Sequence, residues 1–293
     1  MQKVFVMLRQ MFQAWSDDYV PSMGAALAYY TMFSLAPLLL IVIAIAGLVF
    51  GEDAARGEIA AQLQSLMGQG SAVAVQDLLV SVRDPAPGVA AAVVGVLLLL
   101  VGATTVFGEL QDTLNRIWKV PAQSKVGGWI KLVRSRLLSF GMVLAMGFLL
   151  VVSLLFSAAL DVTARWWGPL FGEWQLMATV ANGLSSFVVV ATLFAFIYKT
   201  MPRVHIHWSD VWVGAVVTAL LFTLGKSLIS LYIGRSGVVS GFGAAGSLVV
   251  VMLWVYYSAQ IFLIGAEFTW VYTNTFGSRR STAAPDIHSL QNR

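Results

Sequence analysis

The sequence has no cysteine, three histidines and few charged side chains, which make up 11% of its 293 residues. Without cysteine, a disulfide framework, a thiolate metal site and a thiol nucleophile are all excluded. His205 and His207 have no third ligand at metal-site spacing. The sequence also contains no Gly-x-Ser-x-Gly elbow, no His-Glu-x-x-His motif and no phosphate-binding loop ending in a Lys-Ser/Thr pair. We therefore predict no metal, no cofactor and no enzymatic activity.

Long apolar segments dominate the sequence instead. Apolar residues make up 58% of it and the mean hydropathy is +0.80, which is more hydrophobic surface than a soluble core would bury. A helix that crosses a bilayer needs roughly 20 predominantly apolar residues, and six segments meet this requirement. The predicted spans are residues 25–50, 89–107, 137–160, 178–198, 211–231 and 247–272. A soluble enzyme is excluded, and the predicted fold class is an all-α integral membrane protein with six transmembrane helices.

Lysine and arginine are distributed unevenly between the two sides of these spans. Thirteen of the 18 lie in the termini and in the loops on the same side as the N-terminus, and four lie in the opposite loops. Basic residues in short loops mark the cytoplasmic side of a membrane protein, so both termini should be cytoplasmic. We expect this basic surface to contact anionic lipid headgroups and not nucleic acid.

Shorter regions complete the predicted domain organisation. Residues 1–20 should form an amphipathic interfacial helix, because apolar residues recur at helical spacing from Val4 to Trp15. Residues 21–276 should form the membrane domain. Within it, the interval from Gly51 to Gly88 has two short apolar patterns separated by a Gly-Gln-Gly turn, which predicts an extracytoplasmic helical hairpin. Residues 277–293 are rich in Ser, Thr, Pro and Arg, and we expect a disordered cytoplasmic tail.

Three ionisable residues lie within or at the ends of the predicted spans. Such a group in hydrocarbon costs several kcal/mol unless it faces protein, water or a partner. Glu109 closes the second span and Glu267 lies near the inner end of the sixth. Both are either hydrated residues at helix ends or sites for proton coupling or cation binding. Lys226, in the fifth span, either extends its ammonium to the outer headgroups or contacts a buried partner or a substrate anion.

The first span begins with a run of small, hydroxylated and aromatic residues that ends in proline. Its notable members are Tyr29, Tyr30, Ser34 and Pro37. Hydroxyl groups offer hydrogen bonds inside a helix bundle, and Pro37 frees a backbone carbonyl and bends the helix. The run is explained either by helix packing or by a role in lining a pathway.

Four regions of the chain carry a family resemblance. They are Ala25–Pro37, Leu110–Trp118, Tyr198–Pro202, and Trp254–Ala259 with Gly265–Glu267. Together they resemble the YihY/virulence factor BrkB family, once labelled ribonuclease BN, over roughly residues 12–275. Phe268 and Thr269 depart from the leucine and asparagine that often follow the family's Gly-Ala-Glu, so no role is carried over for that asparagine. The resemblance implies a six-helix, multi-pass protein of the bacterial inner (plasma) membrane.

Most members of this family have no settled biochemical activity, but the resemblance implies a class of function. Links of relatives to serum resistance and to envelope lipid biogenesis imply export or flipping of a lipid or amphiphile. We predict a transporter or flippase for a lipid-like or anionic amphiphilic substrate, with membrane lipids as partners. The alternatives are a non-transporting structural or interaction protein of the envelope and, third, an integral-membrane hydrolase. The sequence has neither metal-binding carboxylates nor paired acid–base histidines arranged for RNA hydrolysis.

Four segments fall on the predicted cytoplasmic side: Ala25–Pro37, Glu109–Trp118, Tyr198–Pro202 and Gly265–Glu267. Residues at one membrane depth can line a shared space even when they are far apart in sequence. The predicted cytoplasmic-side vestibule is lined by Tyr29, Tyr30, Ser34, Pro37, Glu109, Asn115, Trp118 and Glu267. Lys226 is predicted to contact an anion near the outer leaflet. The sequence leaves substrate identity, transport direction, energy coupling and oligomeric state open.

Overall fold

The computed structural model describes residues 2–67, 69–81, 105–121, 174–235, 241–242 and 245–280 of the chain. Every regular element within those ranges is helical, which confirms the all-α character predicted for this part of the chain. The helices are α1 (Gln2–Asp17), α2 (Val20–Phe50), α3 (Glu52–Met67), α4 (Gln69–Ser81), α5 (residues 105–117), α6 (Trp174–Thr200), α7 (Trp208–Arg235) and α8 (Gly246–Thr275).

Three of the described helices are long and apolar enough to cross a membrane. Their qualifying segments are Gly183–Thr200 in α6, Trp208–Arg235 in α7 and Gly246–Thr275 in α8. They coincide with the last three predicted spans, which are thereby confirmed as apolar helices of spanning length. The first predicted span lies within α2, and the second and third lie largely outside the described residues. The total of six spans and the orientation stay predictions.

Left-handed backbone conformations occur at two of the turns between helices. Tyr19 (φ 56°) separates α1 from α2, and Gly51 (φ 86°) separates α2 from α3. Glycine adopts this conformation without a Cβ penalty, whereas tyrosine rarely adopts it. Hydrogen bonds hold Tyr19 there, because its N–H donates to the Ser16 carbonyl at 3.1 Å and its own carbonyl accepts from the Ser22 N–H at 3.0 Å. The Arg116 guanidinium also lies 5.5 Å from the centroid of the Tyr19 ring.

Helix α1 buries some of its apolar side chains and exposes others. Met7 and Met11 are buried, while Phe5, Leu8 and Phe12 are exposed. The exposed residues recur at helical spacing and form an apolar stripe of the kind that enters a membrane surface. The location of α1 on the inner leaflet stays a prediction.

The chain divides into two compact units. Unit 1 consists of Met1–Gln10, Ile117–Leu220 and Gly265–Arg293, and unit 2 consists of Met11–Arg116 and Leu221–Ile264. Helices α7 and α8 each contribute one part to each unit. Among the predicted vestibule residues, Trp118 and Glu267 belong to unit 1 and the other six belong to unit 2.

The helices predicted for the Gly51–Gly88 interval are present as α3 and α4, and both pack on α2. Their apolar side chains share a hydrophobic core with α2 and with the unit 2 parts of α7 and α8. This core contains Leu39, Ile43, Met67, Ala74, Val75, Ile229, Ile233, Val250 and Val251. Ile59 and Leu63, from the first apolar pattern of the interval, pack against it. Burial of apolar surface therefore holds the two short helices on unit 2.

Two helices of unit 1 carry apolar stripes on their exposed faces. The stripe residues are Val180, Leu184 and Val188 on α6, and Trp208, Trp212, Val216 and Leu220 on α7. Each stripe repeats every fourth residue, which keeps its members on one side of the helix. Large contiguous apolar surfaces of this kind mark contact with a membrane or another protein. In a chain with spanning helices, the bilayer is the natural cover for both stripes.

Because the chain has no cysteine, single introduced cysteines report its topology without background. The five variants are Gln2→Cys, Gln69→Cys, Gln123→Cys, Gly172→Cys and Ser281→Cys. A membrane-impermeant maleimide should label intact cells only at positions 69 and 172, which lie in the regions with few basic residues. All five positions should label after permeabilisation, which controls for accessibility. External labelling at position 123 or 281 would overturn the orientation.

Candidate functional site

A buried tyrosine connects α6 with α7 in unit 1. Tyr198 is fully buried, and its hydroxyl lies 3.1 Å from Thr218 Oγ1. Thr218 Oγ1 also donates to the Gly214 carbonyl at 2.7 Å, and a hydroxyl has a single proton to donate. The Tyr198 hydroxyl is therefore the donor to Thr218. Each of the two hydroxyl protons has an acceptor, as burial among apolar helices requires.

Helices α7 and α8 approach each other through two glycine–threonine pairs. A Cβ atom on Gly214 would overlap the Thr269 side chain. A Cβ atom on Gly265 would overlap Thr218 and lie 2.6 Å from the Tyr198 hydroxyl. Each threonine donates to the carbonyl of the glycine four residues earlier in its own helix, at 2.7 Å in α7 and 2.6 Å in α8. The helices run antiparallel at this contact, and the missing side chains of glycine allow their close approach.

Glu267 lies in α8, within the spanning segment Gly246–Thr275, and has no solvent exposure. Residues of an α-helix follow each other at about 100°, so Glu267 lies on nearly the opposite side of α8 from Gly265 and Thr269. Leu263 and Val271, four residues away in each direction, are buried as well. An ionisable side chain inside a membrane helix is expected to be functional. Glu267 is therefore the leading candidate for a functional residue in unit 1.

A buried aspartate fixes the segment that follows α8. Asp210 lies in the first turn of α7, where the helix dipole favours a carboxylate. Its Oδ2 atom accepts hydrogen bonds from the Ser278 N–H at 2.9 Å and from the Ser278 hydroxyl at 2.7 Å. A Cβ atom on Gly277 would lie 2.7 Å from Oδ2, so glycine leaves room for the carboxylate. Residues 277–280, at the start of the predicted tail, are thus held against α7, while residues 281–293 lie outside the described part of the chain.

Three side-chain cations of unit 1 lie over indole rings, and we call these six residues the basic–indole cluster. The distances to the ring centroids are 5.6 Å for Lys119 over Trp270, 5.5 Å for Lys199 over Trp208 and 5.9 Å for Arg279 over Trp118. Arg279 also donates to the His205 carbonyl at 3.5 Å, and Lys199 donates to the carbonyl of the next residue, Ile206. These contacts bring the residues after α5, the end of α6, the start of α7 and the end of α8 to one end of unit 1.

Two tyrosines and one serine of the predicted vestibule lie on α2, in unit 2. Tyr29 is exposed, and its ring centroid lies 5.6 Å from that of Tyr30 and 5.0 Å from that of Phe33. Ser34 is buried and donates to the Thr31 carbonyl at 3.0 Å. The Ser34 hydroxyl is therefore satisfied within its own helix, which favours the packing explanation for this residue.

The other predicted site residues of unit 2 lie on three helices. Glu109 and Asn115 are half-buried on α5, and Lys226 is half-buried on α7. Pro37 lies within α2, and its side chain is outside the described part of the structure. Since the eight vestibule residues are divided between the two units, their assembly into one vestibule stays a prediction.

Some residues at helix contacts have no strong signal in the sequence. In unit 2, Gln260 Nε2 lies 3.4 Å from the Val20 carbonyl oxygen and fills the space that a Cβ atom on Gly24 would need. Neither Gln260 nor Asp210 follows from hydropathy or from counting basic residues. The glycine–threonine contact does have a signal, because glycine precedes threonine by four residues in both α7 and α8.

Apolar helices of spanning length, exposed apolar stripes and an ionisable side chain buried within a spanning helix define an integral membrane protein, helical throughout its described ranges. The profile of the family described as virulence factor BrkB matches residues 11–287, which is most of the chain. The chain therefore belongs to the BrkB family.

Similar proteins from several bacteria carry the name UPF0761 membrane protein. The one from Tolumonas auensis is 26% identical over 196 residues, which cover 64% of this chain and 61% of the relative. The one from Verminephrobacter eiseniae is 27% identical over 273 residues, which cover 89% of this chain and 60% of the relative. The one from Alteromonas mediterranea is 25% identical over 276 residues, covering 92% of this chain and 88% of the relative. The chain thus spans about six tenths of the length of the first two relatives. No solved structure matches the chain.

Proposed function

We propose that this protein is a transporter or flippase that moves a lipid-like or anionic amphiphilic substrate across the membrane. The observation that carries the proposal is Glu267, a carboxyl group without solvent exposure in a helix of spanning length. Burying an ionisable group in a membrane costs several kcal/mol, and such groups in spanning helices mark ion, proton or substrate pathways. A carboxyl group that takes up and releases a proton provides a way to couple substrate movement to a proton gradient.

The charge of the substrate is inferred from the cations. The basic–indole cluster concentrates positive charge at one end of unit 1, which favours an anionic headgroup over a neutral one. Lys226, half-buried on α7, is the proposed contact for such a headgroup near the outer leaflet. The predicted cytoplasmic-side vestibule belongs to the same proposal, as the route by which the substrate enters from the cytoplasm.

Purified protein in liposomes tests this proposal directly. A fluorescent anionic lipid should cross the bilayer faster with the protein than without it, and an imposed proton gradient should change the rate. Glu267→Gln should weaken that gradient dependence by about tenfold, the equivalent of about 1.4 kcal/mol. Asp112→Asn, which changes an exposed carboxylate on α5, is the matched control and should leave the dependence unchanged. Equal rates with and without protein across a panel of anionic lipids would reject the transporter.

A non-transporting structural or interaction protein of the envelope is the second candidate. The close contact of Gly214 with Thr269, and of Gly265 with Thr218, favours it because these contacts leave no passage between α7 and α8 at that depth. This candidate predicts liposomes that are as impermeable to anionic lipid as protein-free ones, together with an envelope protein that co-purifies in stoichiometric amount.

An integral-membrane hydrolase is the third candidate, and it needs carboxylates that converge on a metal ion. No group of three or more histidine, cysteine, aspartate or glutamate side chains within the described ranges is placed to hold one. We expect purified protein to leave RNA intact. Metal-dependent RNA cleavage that is abolished by Glu109→Gln would favour the hydrolase instead.

A further inference from the structure

The basic–indole cluster adjoins the exposed apolar stripe of α7. Lys199, at the end of α6, lies over the Trp208 ring with which the stripe begins. The stripe continues through Trp212, Val216 and Leu220, and its members are between 40% and 53% exposed. From residue 208 to residue 220 the helix rises by roughly 18 Å. This is comparable to half of the ~30 Å hydrocarbon core, so the stripe is long enough to lie along the acyl chain of one leaflet.

The cations at this end of unit 1 contact residues that are neighbours in the chain. Arg279 and Lys199 donate to the carbonyls of adjacent residues, His205 and Ile206. Arg279 also lies over Trp118, the residue immediately before Lys119. Lys199 and Arg279 thus contact the same short loop, and Arg279 contacts the residue next to Lys119.

The acidic side chains in the described residues of unit 1 are buried. Among the described residues of unit 1, the carboxylates are Asp210 and Glu267, and both are buried. Asp210 accepts two hydrogen bonds from Ser278. The exposed or half-buried cations of the same end are Lys119, Lys199, Arg203, Arg279 and Arg280. The charged side chains that the described residues of unit 1 expose at this end are therefore basic.

The backbone at Lys119 gives an independent indication that its side chain has a role. Its φ angle is 52°, in the left-handed region that glycine adopts readily and lysine rarely does. Such conformations persist where the surrounding structure fixes the residue, and they concentrate at functional sites. The sequence has lysine at a position whose backbone suits glycine, with its ammonium 5.6 Å from the Trp270 ring.

We propose that this end of unit 1 binds an anionic phospholipid. Its phosphate lies near Lys199, Arg279 and Lys119, which donate charge-assisted hydrogen bonds to it. Its acyl chain lies along the α7 stripe, and Trp208 and Trp212 lie at the headgroup level, where indole rings are favoured. The inference does not rest on transport, because the lipid is a bound partner whether or not the protein moves lipid across the membrane.

Native mass spectrometry of the full-length protein, released from micelles with equal amounts of phosphatidylglycerol and phosphatidylcholine, tests this site. The protein should retain phosphatidylglycerol preferentially. Lys199→Gln and Lys119→Gly should each lower that preference by about fivefold, the effect of one cation near a membrane surface. Because glycine suits the backbone at position 119, a loss in Lys119→Gly cannot be assigned to backbone strain. Arg235→Gln, at the opposite end of α7, is the matched control and should keep the full preference.

The role of the stripe is tested separately. Val216→Asn should lower the retention of both lipids, because it interrupts the apolar row without changing the charge. An unchanged preference in both lysine variants would overturn the site. Glycerol phosphate that displaces phosphatidylglycerol at equal concentration would show a simple phosphate site and overturn the role of the stripe. These measurements use no gradient and no transport step, so their failure is distinct from failure of the proposed transporter.

Discussion

Gly265→Ala should lower the thermal stability of the purified protein in detergent, although alanine stabilises most helices relative to glycine by about 1 kcal/mol. The added Cβ atom overlaps Thr218 and lies 2.6 Å from the Tyr198 hydroxyl. Overpacking of this kind typically costs about 1–3 kcal/mol, so α7 and α8 must separate or the Tyr198 hydrogen bond must break. Gly214→Ala should have the same effect, because its Cβ atom overlaps Thr269. The unfolding midpoint, followed by circular dichroism, measures both variants.

Gly183→Ala provides the matched control for these two variants. Gly183 is also a helical glycine of unit 1, but apart from its own helix backbone no atom of the described residues lies within 4 Å of the Cβ that alanine would add. Its unfolding midpoint should stay unchanged or rise, as helix propensity predicts. A Gly265→Ala protein that melts at or above the wild-type temperature would contradict the glycine–threonine contact. A drop of equal size in Gly183→Ala would show that the contact is not the cause.

The helices of this protein were predictable because the bilayer restricts the possible structures. Backbone groups in hydrocarbon must be satisfied within the segment, so an apolar run of spanning length has to be helical. The predicted spans at residues 178–198, 211–231 and 247–272 therefore coincide with α6, α7 and α8. The register between helices was not predictable in this way. Gly214 faces Thr269 because the two residues fit together across two helices that are distant in sequence. Hydropathy contains no information about this fit.

Membrane depth predicts which residues share one end of the candidate site. It does not predict which cation lies over which indole ring. Counting along the spans places Trp118, Lys199 and Trp270 on one side of the membrane, and these residues lie at the same end of unit 1. Which cation lies over which ring depends on loop conformations, including the left-handed backbone at Lys119, that no periodicity encodes. From the sequence alone, Asp210 is predicted only to be an acidic residue in the first turn of a helix. Its second function, as the acceptor for Ser278, depends on a contact between segments far apart in the chain.

Asp210→Ala should release the segment after α8 and speed tryptic cleavage after Arg279 and Arg280 by about tenfold or more. The substitution leaves the Ser278 N–H and hydroxyl without their acceptor, and a hydrogen bond to a charged group contributes about 1.5–3 kcal/mol. A protease that samples an open segment reports its equilibrium population, which changes about tenfold for each 1.4 kcal/mol. Mass spectrometry of the released C-terminal peptide gives the rate of cleavage. Gly277→Ala should also raise that rate, since its Cβ atom would lie 2.7 Å from Asp210 Oδ2.

Asp112→Ala is the control for this experiment, because it removes an exposed carboxylate from α5 and changes the net charge by the same amount. Its cleavage rate should match that of the wild type, which separates loss of a specific acceptor from a general change in charge. The basic–indole cluster also contacts this segment through Arg279, so release should weaken the 5.9 Å contact with Trp118 and change its fluorescence. If Asp210→Ala is cleaved within about twofold of the wild-type rate, each hydrogen bond to Ser278 contributes less than expected. In that case the contact of Arg279 with Trp118 would have to hold the segment without Asp210.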